Sequence, residues 1–282
     1  MSSSSVCDPA IVSSSFENPP LATRLVENAE IRLSEIISAL SVALDITQGQ
    51  PEGHCMRSAL IGMRLAEELR LSSADRSALF YAVLLKDLGC SSNAAKISYL
   101  FGADDHLVKR SARLIDWMKP AQTLKHGWKY CAPGGSVIEK LLKMAAMARG
   151  GPQAAKKIAE VRCERGANIA RMLELPEATA RAIFELDEHW NGQGHPCGLK
   201  GEEISLLGRI CCLVQTVELF FTTYGLESAI DVARQRRGEW FDPHLVDALI
   251  SFKSDAAFWR QLLSEDLQSV LSRWEPQDAV LM

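Results

Sequence analysis

The residues of this 282-residue chain that could do chemistry stand in a few places. His54 follows Gly53 directly and opens an apolar segment, with Arg57 close behind. Lys86-Asp87 ends a second apolar run. Arg162-Cys163-Glu164-Arg165-Gly166 lies inside a third. Asp187-Glu188-His189 precedes a loop, Asn191–Gly201, in which five of eleven residues are Gly or Pro. His54, Asp87, Asp187, Glu188 and His189 carry enough oxygen and nitrogen donors for one metal ion, and a metal-bound water can attack a phosphoester. Lys86, Arg162, Arg165 and Lys200 are cations of the kind that receive phosphate. Gly194 and His195 lie in the loop, where so much glycine implies a fixed path and close backbone approach.

Each of these residues also has a plainer reading. Lys86 lies near a helix C-terminus, where a lysine can snorkel to solvent. His54 can be a helix-start residue, and His189 and His195 packing groups of a loop. Asp187-Glu188 can be a solvated face. Cys211-Cys212 reads as small core filling, and Arg209 as an internal buttress for the carbonyls of the glycine loop.

The elements that would position these groups are helical. Apolar residues recur at helical spacing over Leu21–Ile46, His54–Leu71 and the run from Leu79 to Leu88, which Gly89 is expected to cap. Similar patterns cover Asp104–Met118, Ser136–Arg149, Ala154–Leu173, Pro176–Trp190, Glu202–Phe221, Gly225–Arg237, Pro243–Phe252 and Phe258–Leu271. Gly150-Gly151-Pro152 is expected to break one helix from the next, and no alternating strand pattern is flanked by hairpin dipeptides. The sequence therefore predicts an all-α fold in three parts: a disordered Ser-rich arm (1–20), a helical domain (21–252) and a C-terminal helical extension (253–282).

Composition narrows the function classes. With 47% apolar residues, 23% charged residues and a net charge of −4, the chain is an ordinary globular protein without the global positive field of a nucleic-acid binder. Eight scattered cysteines without a C-x-x-C predict reduced thiols and a cytoplasmic location. The apolar stretch Leu206–Phe221 contains Arg209, Gln215 and Glu218, too polar for a membrane span.

Three segments together resemble the HD-GYP branch of the HD phosphohydrolase superfamily: Gly53-His54 with Arg57, Leu84-Leu85-Lys86-Asp87-Leu88-Gly89, and the long run from Asp187 through the glycine loop to Arg209-Ile210. The resemblance spans roughly His54 to Phe221. It implies an HD-domain-like helical bundle with an HD-GYP-type glycine-rich loop. Histidines and aspartates from several helices would hold two or three iron or manganese ions acting on a cyclic dinucleotide such as cyclic di-GMP. His54 and Asp87 match ligand positions of that pattern. Lys86 and Arg162 replace histidines, Leu186-Asp187 replaces a histidine pair, and Gln215 an aspartate. Cys90 replaces a lysine, Gln50 a glutamate, and His195 the tyrosine of the triplet.

Two of these changes install fixed cations where metal would sit. At ~4 Å and an effective dielectric near 20, unit charges interact by about 4 kcal/mol, so a divalent ion and one such cation repel by about twice that. The sequence thus predicts a catalytically degenerate member that works by binding a cyclic dinucleotide, another phosphorylated ligand or a protein partner, with Lys86 and Asp87 at its centre and Arg162, Arg165, Lys200, Gly194 and His195 about the ligand. No cofactor is expected. The alternative is an active phosphohydrolase with a remodelled iron or manganese site on His54 and Asp87. No nucleic-acid partner and no membrane span are expected, and self-association is left open.

Overall fold

The computed structural model describes residues 33–90, 108, 110, 111, 114, 115 and 119–276. α1 (Leu33–Thr47) and α2 (His54–Glu68) are joined by a turn in which Gly49 and Gly53 adopt φ of 62° and 81°. L side chains avoid that left-handed region, so these glycines set the entry angle of α2 and of His54, its first residue. Most later helices begin at a side chain that satisfies first-turn N–H groups. Ser72 Oγ accepts from Asp75 N ahead of α3 (Ser73–Leu84), and Ser136 Oγ from Glu139 N ahead of α5 (Val137–Met172). Ser205 does the same for α7 (Leu206–Tyr224), Asp242 for α9 (Pro243–Ser251), Asp255 for α10 (Ala256–Gln261) and Asp266 for α11 (Leu267–Ser272). The remaining helices are α4 (Pro120–Tyr130), α6 (Glu177–Glu185) and α8 (Leu226–Gln235), and Gly201–Glu203 forms a short 3-10 turn.

The fold is all-α. Among the described residues there is no strand, only an isolated bridge between Arg237 and Phe241. α7 runs through the middle, packed by α2, α3, α6 and α8. Its Ile210, Leu213, Val214 and Val217 are inaccessible to solvent and meet Leu60, Phe80, Leu84 and Ile183 in one continuous core, which Leu267 and Leu271 of α11 also join. By length and hydropathy α7 could cross a membrane, contrary to the reading of it as too polar. The bundle accounts for this apolar helix, because most of it is buried inside the protein.

Several boundaries differ from those the sequence implied. α5 runs unbroken through Gly150-Gly151-Pro152. Glycine costs a helix about 1 kcal/mol and proline one hydrogen bond with a steric clash. α5 is held at one end by the Ser136 cap and α4, and at the other by α6. Gly89 caps no helix: α3 ends at Leu84, and Gly89 lies in the turn beyond, where a Cβ would stand 1.9 Å from the Arg162 carbonyl oxygen. Close backbone approach, and not a left-handed cap, is what demands glycine there. The run Phe258–Leu271 is two helices, α10 and α11, and α4 was not foreseen. The Ser-rich arm lies outside the described residues, as do most of Asp104–Met118 and the first part of the Leu21–Ile46 helix.

Candidate functional site

Six segments converge on the centre of the bundle. The last turn of α1 carries Asp45 and leads to Gln50; the first turn of α2 carries His54, Cys55 and Arg57; the turn after α3 carries Lys86, Asp87 and Cys90. α5 supplies Arg162 and Cys163, and the residues after α6 supply Asp187 and Glu188. α7 contributes Gln215 and Glu218.

Lys86 does not snorkel. Its side chain is fully buried, and its ammonium donates to Asp87 Oδ2 and to Cys55 Sγ, the latter at 3.3 Å. Cys90 Sγ donates to Asp87 Oδ1 at 3.3 Å, so both carboxylate oxygens are engaged. Cys55 N donates to Asp45 Oδ1 at 3.1 Å. Burial pushes the Asp45 carboxyl above its ordinary range, against the opposing pull of the Lys86 and His54 charges. Burial likewise pushes the Cys55 thiol well up, so it stays a thiol and not a thiolate.

A second ion pair stands beside the first. Arg162 Nη2 pairs with Asp187 Oδ2 at a site one-fifth exposed, and Arg162 Nη1 lies 3.9 Å from Cys90 Sγ. Lys86 and Arg162 therefore each hold a carboxylate, in a continuous chain from Asp45 through Cys55, Lys86, Asp87, Cys90 and Arg162 to Asp187. Gly89 and Gly166 let the turn after α3 and α5 approach closely enough for that chain to close.

His54 is both a helix start and a partner of the interior. Its Nδ1 meets Glu218 Oε2, and Arg57 Nε donates to Glu218 Oε1 at 2.6 Å. Burial alone would raise the Glu218 carboxyl, but the charges and hydrogen bonds of His54 and Arg57 bring it below its ordinary range. Glu218 was read in the sequence only as an argument against a membrane span. A carboxylate placed mid-way along an apolar helix was itself the signal that a buried partner existed.

The glycine loop is organised by Glu188, which is buried and not a solvated group. Its carboxylate accepts from Cys197 N at 2.6 Å, Gly198 N at 3.0 Å and Leu199 N at 3.0 Å. Burial raises its carboxyl, and these N–H groups work against that. Gly194 is needed because a Cβ there would stand 2.1 Å from His189 N. Arg209 binds Asp242 Oδ2 at 2.6 Å and lies over the Trp190 ring, so it braces α9 against the loop instead of anchoring loop carbonyls. His189 stacks on Trp240 at 4.1 Å.

Of the residues assigned to a ligand, Arg162, Gly194 and His195 come to one place. His195 N donates to Asp187 O at 2.9 Å, and burial, then Lys156, then Arg162, hold its imidazole below its ordinary range. Arg165 is exposed and lines a shallow groove with Val161, Glu164, Asn168, Ile169 and Met172. Lys200 is exposed, with its Cβ against Gly192. Gln50 is buried, and neither atom of its carboxamide has a hydrogen-bond partner.

The architecture is that of an HD-type helical bundle, and residues 141–245 match the HD domain (HD_5), the domain of the HD phosphohydrolase superfamily. Over 249 residues it is 37% identical to the 3′3′-cGAMP-specific phosphodiesterase 3 of Vibrio cholerae, covering 88% of this chain and 54% of that protein. Over 69 residues it is 33% identical to a probable cyclic di-GMP phosphodiesterase of the same organism, covering 22% and 16% of the two chains. A crystal structure of a cyclic GMP-AMP-specific phosphodiesterase of V. cholerae superposes with a TM-score of 0.69 at 35% identity, covering 89% of this chain and 55% of that one. The chain thus spans about half the length of the first relative and of the solved structure.

This relationship corrects the expectation of no cofactor, because the cyclic dinucleotide phosphodiesterases of the superfamily are metal-dependent. His54 and Asp87 are the two residues that the sequence resemblance assigns to ligand positions. The present side-chain arrangement does not fit such a centre. His54 is turned to Glu218, Asp87 is bound by Lys86, and among the described residues no three His, Cys, Asp or Glu side chains converge on a common point.

Proposed function

We propose that this chain is a cytoplasmic cyclic-dinucleotide-binding domain of bacterial second-messenger signalling in which hydrolysis has been lost. Its relatives act on such ligands by name. The observation that carries the loss of hydrolysis is the buried Lys86–Asp87 pair, which ties up a carboxylate the reaction needs. The ligand's phosphates would approach by way of Arg162, His195 and the backbone at Gly194. Those are the assigned groups that lie together, and Arg162 keeps partial exposure.

The test pairs binding with turnover. Calorimetric titration with 3′3′-cGAMP and with cyclic di-GMP is expected to show saturable binding that weakens in Arg162→Gln. Chromatography of the same mixtures, with protein supplied with iron or manganese, is expected to show intact ligand. Hydrolysis to a linear dinucleotide that disappears in Asp87→Ala would establish the active phosphohydrolase instead. Absence of binding would overturn the ligand.

A further inference from the structure

The hairpin of α4 and α5 carries a surface that the proposed binding site does not use. Leu124 and Trp128 on α4, and Ile138, Leu141 and Leu142 on α5, are between 46% and 71% exposed. Single exposed leucines are ordinary, but five large apolar side chains on one short hairpin are not. They share a side. Gly127 and Met144 mark the inward positions, since Met144 Cε would touch a Cβ at 127 at 3.3 Å. Counting at 3.6 residues per turn from those positions puts Leu124 and Trp128 beside Ile138 and Leu141. Lys140 Nζ, 5.8 Å from the Trp128 ring centroid, ties the two helices together.

The charge around this surface is opposite to that of the chain. Residues 119–157 contain eight Lys and Arg and a single acid, Glu139, in a protein of net charge −4. Lysines next to an exposed tryptophan and aliphatic side chains are the pattern of a helix lying in a bilayer interface, where apolar groups enter the acyl boundary and lysine stems reach back to anionic headgroups. A second copy of this hairpin would bring like charges together. A nucleic acid would attract the lysines but leave Ile138, Leu141 and Leu142 in water.

We propose that the α4–α5 hairpin docks this protein peripherally on membrane surfaces rich in anionic lipid. Co-sedimentation of the full-length protein with vesicles tests this, using phosphatidylcholine alone and an equal mixture with phosphatidylglycerol. Binding is expected only with the mixture, fading as salt is raised. Lys125→Gln with Lys129→Gln is expected to weaken it about 30-fold, roughly fivefold for each lysine near such a surface. Ile138→Ser with Leu142→Ser is expected to weaken binding and to remove a blue shift of tryptophan emission, with the thermal midpoint unchanged because both side chains are exposed. Equal binding by wild type and variants, or no binding at low salt, overturns the proposal. A wild-type dimer in sedimentation equilibrium that Ile138→Ser with Leu142→Ser makes monomeric also overturns it, since a second copy would then occupy the face.

Discussion

At the residue scale, the centre is a matter of neutralising buried charge. A buried carboxylate needs a compensating charge, and Lys86 supplies it to Asp87 within the protein. Such a pair adds little stability relative to apolar residues of similar volume, but breaking it is expensive. Lys86→Met keeps most of the volume and leaves Asp87 uncompensated, so it should lower the unfolding free energy by about 3–5 kcal/mol. Lys86→Met combined with Asp87→Leu should recover most of that loss, because no buried charge remains. Urea denaturation of the two single variants and the double variant measures the coupling. Additive losses would mean that Lys86 stabilises by packing alone. Arg162 is part exposed, so Arg162→Gln should cost far less than Lys86→Met in the same assay.

At the scale of elements, α2 and α7 are locked by Glu218 between His54 and Arg57. Glu218→Gln leaves Arg57 short of its counter-ion and should destabilise by about 3–5 kcal/mol at neutral pH. The Glu218 carboxyl is held below its ordinary range in the fold, so the unfolded chain takes up this proton first as pH falls. The stability it contributes is fully present above about 4.5, the ordinary glutamate value, and is lost as pH drops through the lower folded value. Thermal midpoints of wild type and Glu218→Gln should therefore converge in acid. The helix periods of α2, α3 and α7 are readable in the sequence because the spacing of apolar residues sets them. The continuity of α5 was not, because Gly150-Gly151-Pro152 is a breaker that neighbouring packing overrides. Gly150→Ala tests it: within a helix this change should stabilise by roughly 0.5–1 kcal/mol, whereas a left-handed loop residue would be destabilised by it. The pairings of Lys86 with Cys55, and of Glu218 with His54, join residues far apart in the chain. Spacing along the sequence carries no sign of them, although the side chains at stake, an acid in an apolar helix and a lysine at the end of an apolar run, were visible.

At the scale of the molecule, the core ties α1, α2 and α11 to α7, and a ligand that gathers Arg162 on α5 with His195 and Gly194 in the loop would brace α5 against the glycine loop within the matched HD domain. Binding to the folded state alone stabilises by about 2.7 kcal/mol when ligand stands at a hundred times its dissociation constant. For a domain of this size each kcal/mol moves the melting midpoint by about 2–4 °C, so saturating 3′3′-cGAMP should raise it by roughly 5–10 °C. A metal titration in the same assay probes the centre. Iron or manganese held by His54 and Asp87 must displace Lys86 from the Asp87 carboxylate, so any shift the metal produces should vanish in Asp87→Asn. The shift produced by the dinucleotide should survive that substitution, because its contacts are with Arg162 and the glycine loop. If one substitution abolishes both shifts, metal and dinucleotide share a single site, and the separation of the buried ion-pair centre from the ligand mouth at Arg162 fails.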